Sequence, residues 1–577
     1  MTRFSHVIAI LPALWGLVGC GKPPAPAASQ GTNLSAPHEG LRRIVDRYWD
    51  ERPAGAAALE PQMLADSLAM ERRFLTEILA VPLNSLDAES RLTYDIFRKE
   101  REQEIEGLTY PAELLPIDPF GGPLLELARA AADMGQYPLK TAQDYRNWQI
   151  QIDGSVRWIR QAIANMRDGM RRGYTSPQSI MQRALALLQG LGEDTGANVF
   201  YVPVRTLPDA IKDPERTRLS VSLNGAVKDQ LLPAIRELHD FIKSDYLPRA
   251  RVSVAWASLP LGTSWYAYLV ALNTDTRLTP SEIHNIGVAE VERIRTRLQS
   301  LPAGPPAAPA KSDVPAADPL TAYRDLKALA LAAVPALFSA LPKADFEITA
   351  ANPLAGPGAA LAYQRATEDG ATPAILYVGG GTGTTPATVD IAEFLQETVP
   401  GMHLQSALQQ ERVDLPKFRR WSAPRYGAQR YGGAPAFVDG WALYAVSLGE
   451  DLGLYRDDEA KRGAAFAQLR CAVALVADTG LHAKGWTRAQ AVEYLRAQLA
   501  LDEAGAALMT DSFVAEPGKA LACKMGELEF QALRNRAQQA LGDKFDYREF
   551  HGEVLRDGAM PLDILETKMK LWMEARR

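Results

Sequence analysis

Along most of the chain, apolar residues recur every three to four positions, the period of a helix face rather than of a strand. In "LTPSEIHNIGVAEVERIRTRL", Ile283, Ile286, Val291, Ile294 and Leu298 form one stripe. Thr279 supplies an N-cap, Pro280 a first-turn residue and Glu282 the reciprocal capping-box partner, so a helix starts here. In "GWTRAQAVEYLRAQLAL", Gly485 is placed to end one helix, while Thr487 and Gln490 cap the next. Trp441, Tyr444, Leu448 and Leu452 follow the same spacing and predict a packed helix face. Strand signals are few, and "AILYVGG" at 374–380, short and apolar with a glycine stop, is the clearest. The pattern predicts a mainly α, large helical fold with a small β element. Residues 301–320, "LPAGPPAAPAKSDVPAADPL", interrupt it as a Pro/Ala-rich surface insertion.

The first residues break the pattern. "MTRFSHVIAILPALWGLVGC" places Arg3 ahead of an apolar run too short to span a membrane, which reads as a signal peptide over residues 1–19. Leu17-Val18-Gly19-Cys20 matches a bacterial lipobox, making Cys20 the expected lipidation site. Residues 20–40, rich in Pro, Ala, Ser and Gly, then read as a flexible tether, and 41–577 as a single large helical domain, with two lobes as the alternative. The expected partner is a membrane, reached through the N-terminal acyl anchor. Gly21 rather than Asp after the cysteine resembles lipoproteins sorted to the outer membrane, so the expected location is the bacterial cell envelope, on the periplasmic face of that membrane. Composition adds one exclusion. Sixty-three basic against sixty-nine acidic residues, with no basic run interleaved with aromatics, argue against nucleic acid as a partner. Cys471 and Cys523 sit in apolar, helical contexts and read as two separate buried thiols rather than a disulfide.

Candidate chemistry concentrates in "FLQETVPGMHLQ", residues 394–405. A His-Glu-x-x-His helix places two zinc ligands four residues apart, with the glutamate as general base. Here Gln396 and Pro400 occupy the ligand positions, Glu397 keeps the place of the base, and His403 follows only after a Pro-Gly break. Asp478 and His482 are also four apart and share a helix face if the helix survives Gly480; a hydrogen bond between them is the favoured reading over a catalytic role. Arg425, Tyr426, Arg430 and Tyr431 in "APRYGAQRYGGAP" could hold a substrate carboxylate, or form an ordinary surface loop. The glycines of "YVGGGTGTTP" lack a phosphate-loop ending, and no Gly-x-Ser-x-Gly elbow or zinc-type cysteine pair is present.

The stretches "QETVPGMHLQ", "FVDGWALYAVSLGEDLGLY", "ADTGLHAKGWTRAQAVEYL", "PGKALACKMGELEFQALRNRA" and "FHGEVLRDGAMPLDILE" occur in the order seen in the bacterial domain-of-unknown-function family 885, which the chain resembles from about residue 40 onward. Family members are mostly secreted or lipid-anchored and resemble zinc metallopeptidases. The resemblance implies a pattern His-Glu-x-x-Pro-Gly-His-His-Leu-Gln with histidine ligands and a glutamate base, and an acidic ligand before Gly-Trp. Carried over, Glu397 matches the base, His403 the second adjacent histidine and Asp439 the acidic position, making His403 and Asp439 the candidate metal residues. Gln396 and Met402 stand where histidines are implied, Ser512-Phe513 where Arg-Tyr is, and Cys523 where a tyrosine is.

Glutamine is a neutral, weak ligand and a thioether an unusual one for zinc, so no cofactor is expected, and zinc only if a site is rebuilt from His403, Asp439, Glu397, Asp478 and His482. The favoured function is a catalytically degenerate, lipid-anchored binding or scaffold protein, with a peptide as conceivable ligand. The alternative is a divergent metal-dependent peptidase or amidohydrolase using Glu397 as general base.

Overall fold

The computed structural model describes residues 36–52, 59–132, 139–302, 319–351, 361–368, 370, 372–379, 389–421 and 433–577. Cys20, the signal peptide, most of the expected tether, the interior of the 301–320 insertion, the glycines after Gly379, and Arg425, Tyr426, Arg430 and Tyr431 lie outside the described residues. The first helix, Ala36–Glu51, takes in the last five positions of the expected tether.

Helices dominate, as the apolar period predicts. The two capping boxes form as read: Thr279 and Glu282 exchange hydrogen bonds at the start of Pro280–Ser300, and Thr487 and Gln490 at the start of Arg488–Leu499. Gly485, at φ 73°, follows the preceding helix, and the Trp486 N–H returns to the Gly480 carbonyl. The helix Pro435–Ser447 ends before Leu448 and Leu452, yet both leucines stay buried in the same cluster as Trp441 and Tyr444.

The β element is a three-stranded sheet of order β1-β3-β2, from Phe346–Ala350 (β1), Leu361–Gln364 (β2) and Ala374–Val378 (β3). β3 pairs parallel to β1 and antiparallel to β2, so the fully buried "AILYV" run lies in the centre and β2 on an edge.

Buried apolar residues form two large clusters. One joins the N-terminal helices to the sheet and the C-terminal helices; the other fills the helical region between Leu124 and Val254. The helix Asp458–Ala483 contributes to both, and its Leu475 to a third cluster between them. It is long and apolar enough to cross a membrane, but 83% of its most apolar window is buried within the protein, which accounts for its composition as that of a central core helix. Two close approaches set the helices around it. A Cβ on Gly440 would overlap the backbone of Gly526, and one on Gly287 would press against Leu475 and Val476.

The two remaining cysteines are not separate thiols. Cys471 and Cys523 form a disulfide, with Cα atoms 6.1 Å apart. The helices Asp458–Ala483 and Leu521–Leu541 pack together, so two cysteines that each look like core residues in sequence meet at the crossing.

Candidate functional site

The helix Ile391–Glu397 starts at Asp390, whose side chain accepts from the Glu393 N–H, and stops at Glu397. Pro400-Gly401 then separates it from Met402–Glu411, as the sequence predicts. Gly401 turns the chain so tightly that a Cβ would collide with the carbonyl oxygens of Leu395 and Gln396. The Pro400 carbonyl accepts from the Trp441 indole N–H at 2.9 Å, tying this turn to the helix that carries Asp439.

Glu397 and Glu393 lie one helical turn apart and face the free edge of the sheet. The backbone N–H of Tyr363 donates to Glu397 Oε2 at 3.3 Å, and that of Leu361 to Glu393. The match is geometric: two residues of strand advance about 6.6 Å and four residues of helix about 6.0 Å, so alternate N–H groups of β2 meet carboxylates at i and i+4. Unpaired edge donors are thereby satisfied. Burial, then the neighbouring Glu393 carboxylate, pushes the Glu397 pKa up to about 8, against the lowering effect of the Tyr363 N–H. Burial likewise raises Glu393 to about 7, offset in part by the Arg470 guanidinium.

Asp439 lies within electrostatic reach of Glu397. Burial raises its pKa to about 6, while the positive charges of Lys519 and Arg365 pull the other way. Arg365 itself is held below its ordinary pKa by burial, with Tyr363 and Asp439 opposing.

His403 faces the sheet too, but on other terms. Its ring is 2% exposed and packs 4.7 Å from Phe346. A carbonyl can only accept, so Nε2–H donates to Ala344 O at 3.1 Å, which leaves Nδ1 to accept from the Tyr363 hydroxyl at 3.0 Å. Burial depresses its pKa to about 4, so the ring is neutral at pH 7 and neither nitrogen is free. The Tyr363 oxygen also lies 3.2 Å from Ser406 Oγ. One tyrosine of the edge strand thus holds both motif residues, its backbone bonded to Glu397 and its side chain to His403.

Asp478 and His482 occupy a second place, on a helix that continues through Gly480. The expected hydrogen bond between them is not formed, because each is bound to other parts of the chain. Asp478 accepts from the Tyr266 hydroxyl at 2.5 Å and from the Gly518 N–H at 3.0 Å; Gly518 adopts φ 80°, a conformation favouring glycine. Nε2–H of His482 donates to Phe513 O at 2.9 Å, and Nδ1 faces the Trp256 N–H at 3.4 Å. Burial raises Asp478 to about 7, against the lowering effect of Tyr266 and Gly518, and lowers His482 to about 3, so the imidazole is neutral at pH 7. Gly518 and Lys519 connect the two places, one bonded to Asp478 and the other acting on Asp439.

The expected metal residues do not converge into a zinc site. Among the described residues, no three His, Cys, Asp or Glu side chains are arranged to hold a metal ion. At the positions where the resemblance implies histidines, the buried Gln396 Oε1 has no hydrogen-bond partner, and Met402 offers only a thioether. The donor set does not fit zinc. Tyr363, Glu393, Arg365, Arg470 and Lys519 are site residues that the sequence reading did not single out. Of these, Glu393 leaves a trace in the sequence as a second carboxylate four residues before Glu397, and Lys519 lies within the stretch that opens Pro517-Gly518-Lys519.

The same architecture occurs in two solved structures. One is described as a "putative lipoprotein" from Colwellia psychrerythraea, 22% identical, with a TM-score of 0.82 over 94% of this chain and 100% of that one. The other is described as a "putative lipoprotein of unknown function" from Shewanella oneidensis, 16% identical, with a TM-score of 0.65 over 93% of this chain and 98% of that one. At these identities the likeness speaks for the fold alone. No curated protein matches the chain in sequence. The model of a family described as bacterial protein of unknown function (DUF885) matches residues 50–569, and the chain belongs to that family.

Proposed function

We propose that this protein is a lipid-anchored binding or scaffold protein of the bacterial envelope, keeping a metallopeptidase-like frame whose catalytic centre has been lost. One observation carries the reading: both ring nitrogens of His403 and one carboxylate oxygen of Glu397 are engaged by the fold itself, through Tyr363 and Ala344. With Gln396 and Met402 beside them, the motif offers no set of anionic or imidazole ligands. Hydrolysis with Glu397 as base has a further difficulty. A base must be ionised to accept a proton, and a pKa of about 8 leaves this carboxyl mostly protonated at pH 7.

The envelope location draws on different support. The two structural neighbours each carry the description "putative lipoprotein", Cys20 sits in a lipobox, and the Cys471–Cys523 bridge is a feature of oxidising compartments.

The test is metal analysis of protein purified without chelators, beside the double variant Gln396→His/Met402→His. The unaltered protein should carry no stoichiometric zinc, whereas the variant should gain affinity for it. Stoichiometric zinc in the unaltered protein, or peptide hydrolysis abolished by Glu397→Gln, would overturn the reading. For the anchor, incorporation of labelled palmitate should disappear in Cys20→Ala.

A further inference from the structure

Away from Glu397, the helices Gln178–Gly192, Arg488–Leu499 and Glu503–Ala515 meet at the buried carboxylate of Asp511, which lines an open groove of about 580 Å³. Two arginines on the groove share that one carboxylate. Arg488 donates from Nε to Oδ1 at 2.7 Å and from Nη2 to Oδ2 at 2.9 Å, while Arg183 donates to Oδ2 from Nη2 at 2.7 Å and from Nε at 3.2 Å. Arg183 also lies over the Phe120 ring, 5.6 Å from its centroid. Both guanidiniums are thus held by the same edge, and the side chains of Arg183 and Arg488 remain 33% and 35% exposed. Nη1 of each makes no hydrogen bond among the described residues and stays open to solvent. Two guanidiniums against one carboxylate leave one positive charge, and the rest of the lining, Gln182, Ser179 and Val252 among it, is uncharged.

An ion triad that only joins three helices would account for the edges that face Asp511, but not for the surplus charge or the two Nη1 arms. A guanidinium fork matches the oxygens of a phosphate, which take donors from several directions at once. The exposed Gln182 amide lines the same groove and adds a further donor. Val252, 81% exposed, gives the groove an apolar flank. A phosphodiester carries a single negative charge, equal to the surplus, and has carbon substituents to lay on that flank.

We propose that this groove binds the phosphate group of a ligand, with the Nη1 arms of Arg183 and Arg488 donating to phosphate oxygens and Asp511 holding both guanidiniums in place. A phospholipid headgroup and a free phosphate share this chemistry. The groove has no lining residue in common with the Glu397 centre, so the proposal stands whether or not that centre is silent.

The test is calorimetric titration of the purified full-length protein with inorganic phosphate, the soluble short-chain lipid dibutanoyl phosphatidylglycerol, and butanoate. At least one phosphate probe should bind, and butanoate, which has the acyl chain but a planar carboxylate, should bind at least about tenfold more weakly. Tighter binding of the lipid identifies a headgroup as the ligand, and equal or tighter binding of inorganic phosphate a free phosphate. Arg183→Lys/Arg488→Lys keeps both charges but removes the free Nη1 arms, and should weaken binding at least about tenfold. Because these arginines also neutralise the buried Asp511, that variant could fold poorly. Gln182→Glu leaves the triad untouched and adds one negative charge to the groove. It should weaken binding about fivefold, the effect of a unit charge about 4 Å away in water. No binding of either phosphate probe at millimolar concentration, butanoate bound as tightly as the phosphate probes, or an unchanged affinity in Gln182→Glu would each overturn the proposal.

Discussion

Removing the disulfide tests the crossing of the two long helices directly. Cys471 and Cys523 are separated by 52 positions. Closing a loop of that length in the unfolded chain removes about 14 cal/mol/K of entropy, or about 4 kcal/mol at 25 °C, by the chain-entropy relation. The double variant Cys471→Ser/Cys523→Ser should therefore unfold at lower urea concentration, followed by tryptophan fluorescence. Reductant should lower the midpoint of the unaltered protein towards that of the variant and leave the variant's own midpoint in place. Thiol titration of denatured, unreduced protein should find neither of these two cysteines reactive. Two reactive thiols there, or coincident midpoints with and without reductant, would refute the pairing. They would also remove the argument that the protein matures in an oxidising compartment.

Three further outcomes follow from the packing and the charges. Tyr363→Phe deletes the hydroxyl that donates to the buried His403 Nδ1, and should cost about 1–3 kcal/mol in urea unfolding; a change within 0.5 kcal/mol, about the scatter of a neutral surface substitution, would mean the imidazole is satisfied otherwise. Gly526→Ala puts a Cβ into the Ala436 carbonyl and the Gly440 backbone, so about 3 kcal/mol or more should be lost; a silent substitution would show that these helices can separate freely. Glu397 has a folded pKa of about 8 against an ordinary value of 4.5, so the folded state holds the extra proton and this group's contribution falls as pH rises from the lower value through the higher. Glu397→Gln should thus gain on the unaltered protein steadily between those two pH values in thermal melts, and a pH-independent difference would contradict the burial argument.

Much of the framework is legible because its signals are local. Thr279 with Glu282, and Thr487 with Gln490, are each complete within four residues. β3 is readable because every position of "AILYV" is buried. β1 and β2 escape notice because they are partly exposed and lack a continuous apolar run, with nothing to distinguish them from loop until β3 lies between them. The failures at the site have one physical cause. Asp478 and His482 have the spacing of an interacting pair, but Tyr266, 212 positions away, and the Gly518 N–H claim Asp478, and Phe513 claims His482. The cysteines likewise look like core thiols until two helices cross. Spacing along a helix states which side chains could meet, and tertiary contacts decide what they bond to.

The same distinction bears on the residues of "FLQETVPGMHLQ". Pro400 gives its carbonyl to Trp441, Gly401 fits a turn closed to any side chain, and His403 ties the segment before β1 to Tyr363. Gln405 donates to Gln409, which in turn binds the Arg419 carbonyl and the Ala559 N–H. Glu397 takes up an edge-strand N–H. Each of these residues has a contact in the fold that needs no metal. At Gln396 the buried Oε1 has no partner at all, and Met402 is a partly buried thioether. On the proposed reading, then, Glu397, Pro400, Gly401, His403 and Gln405 are kept in place by contacts within the fold rather than by coordination.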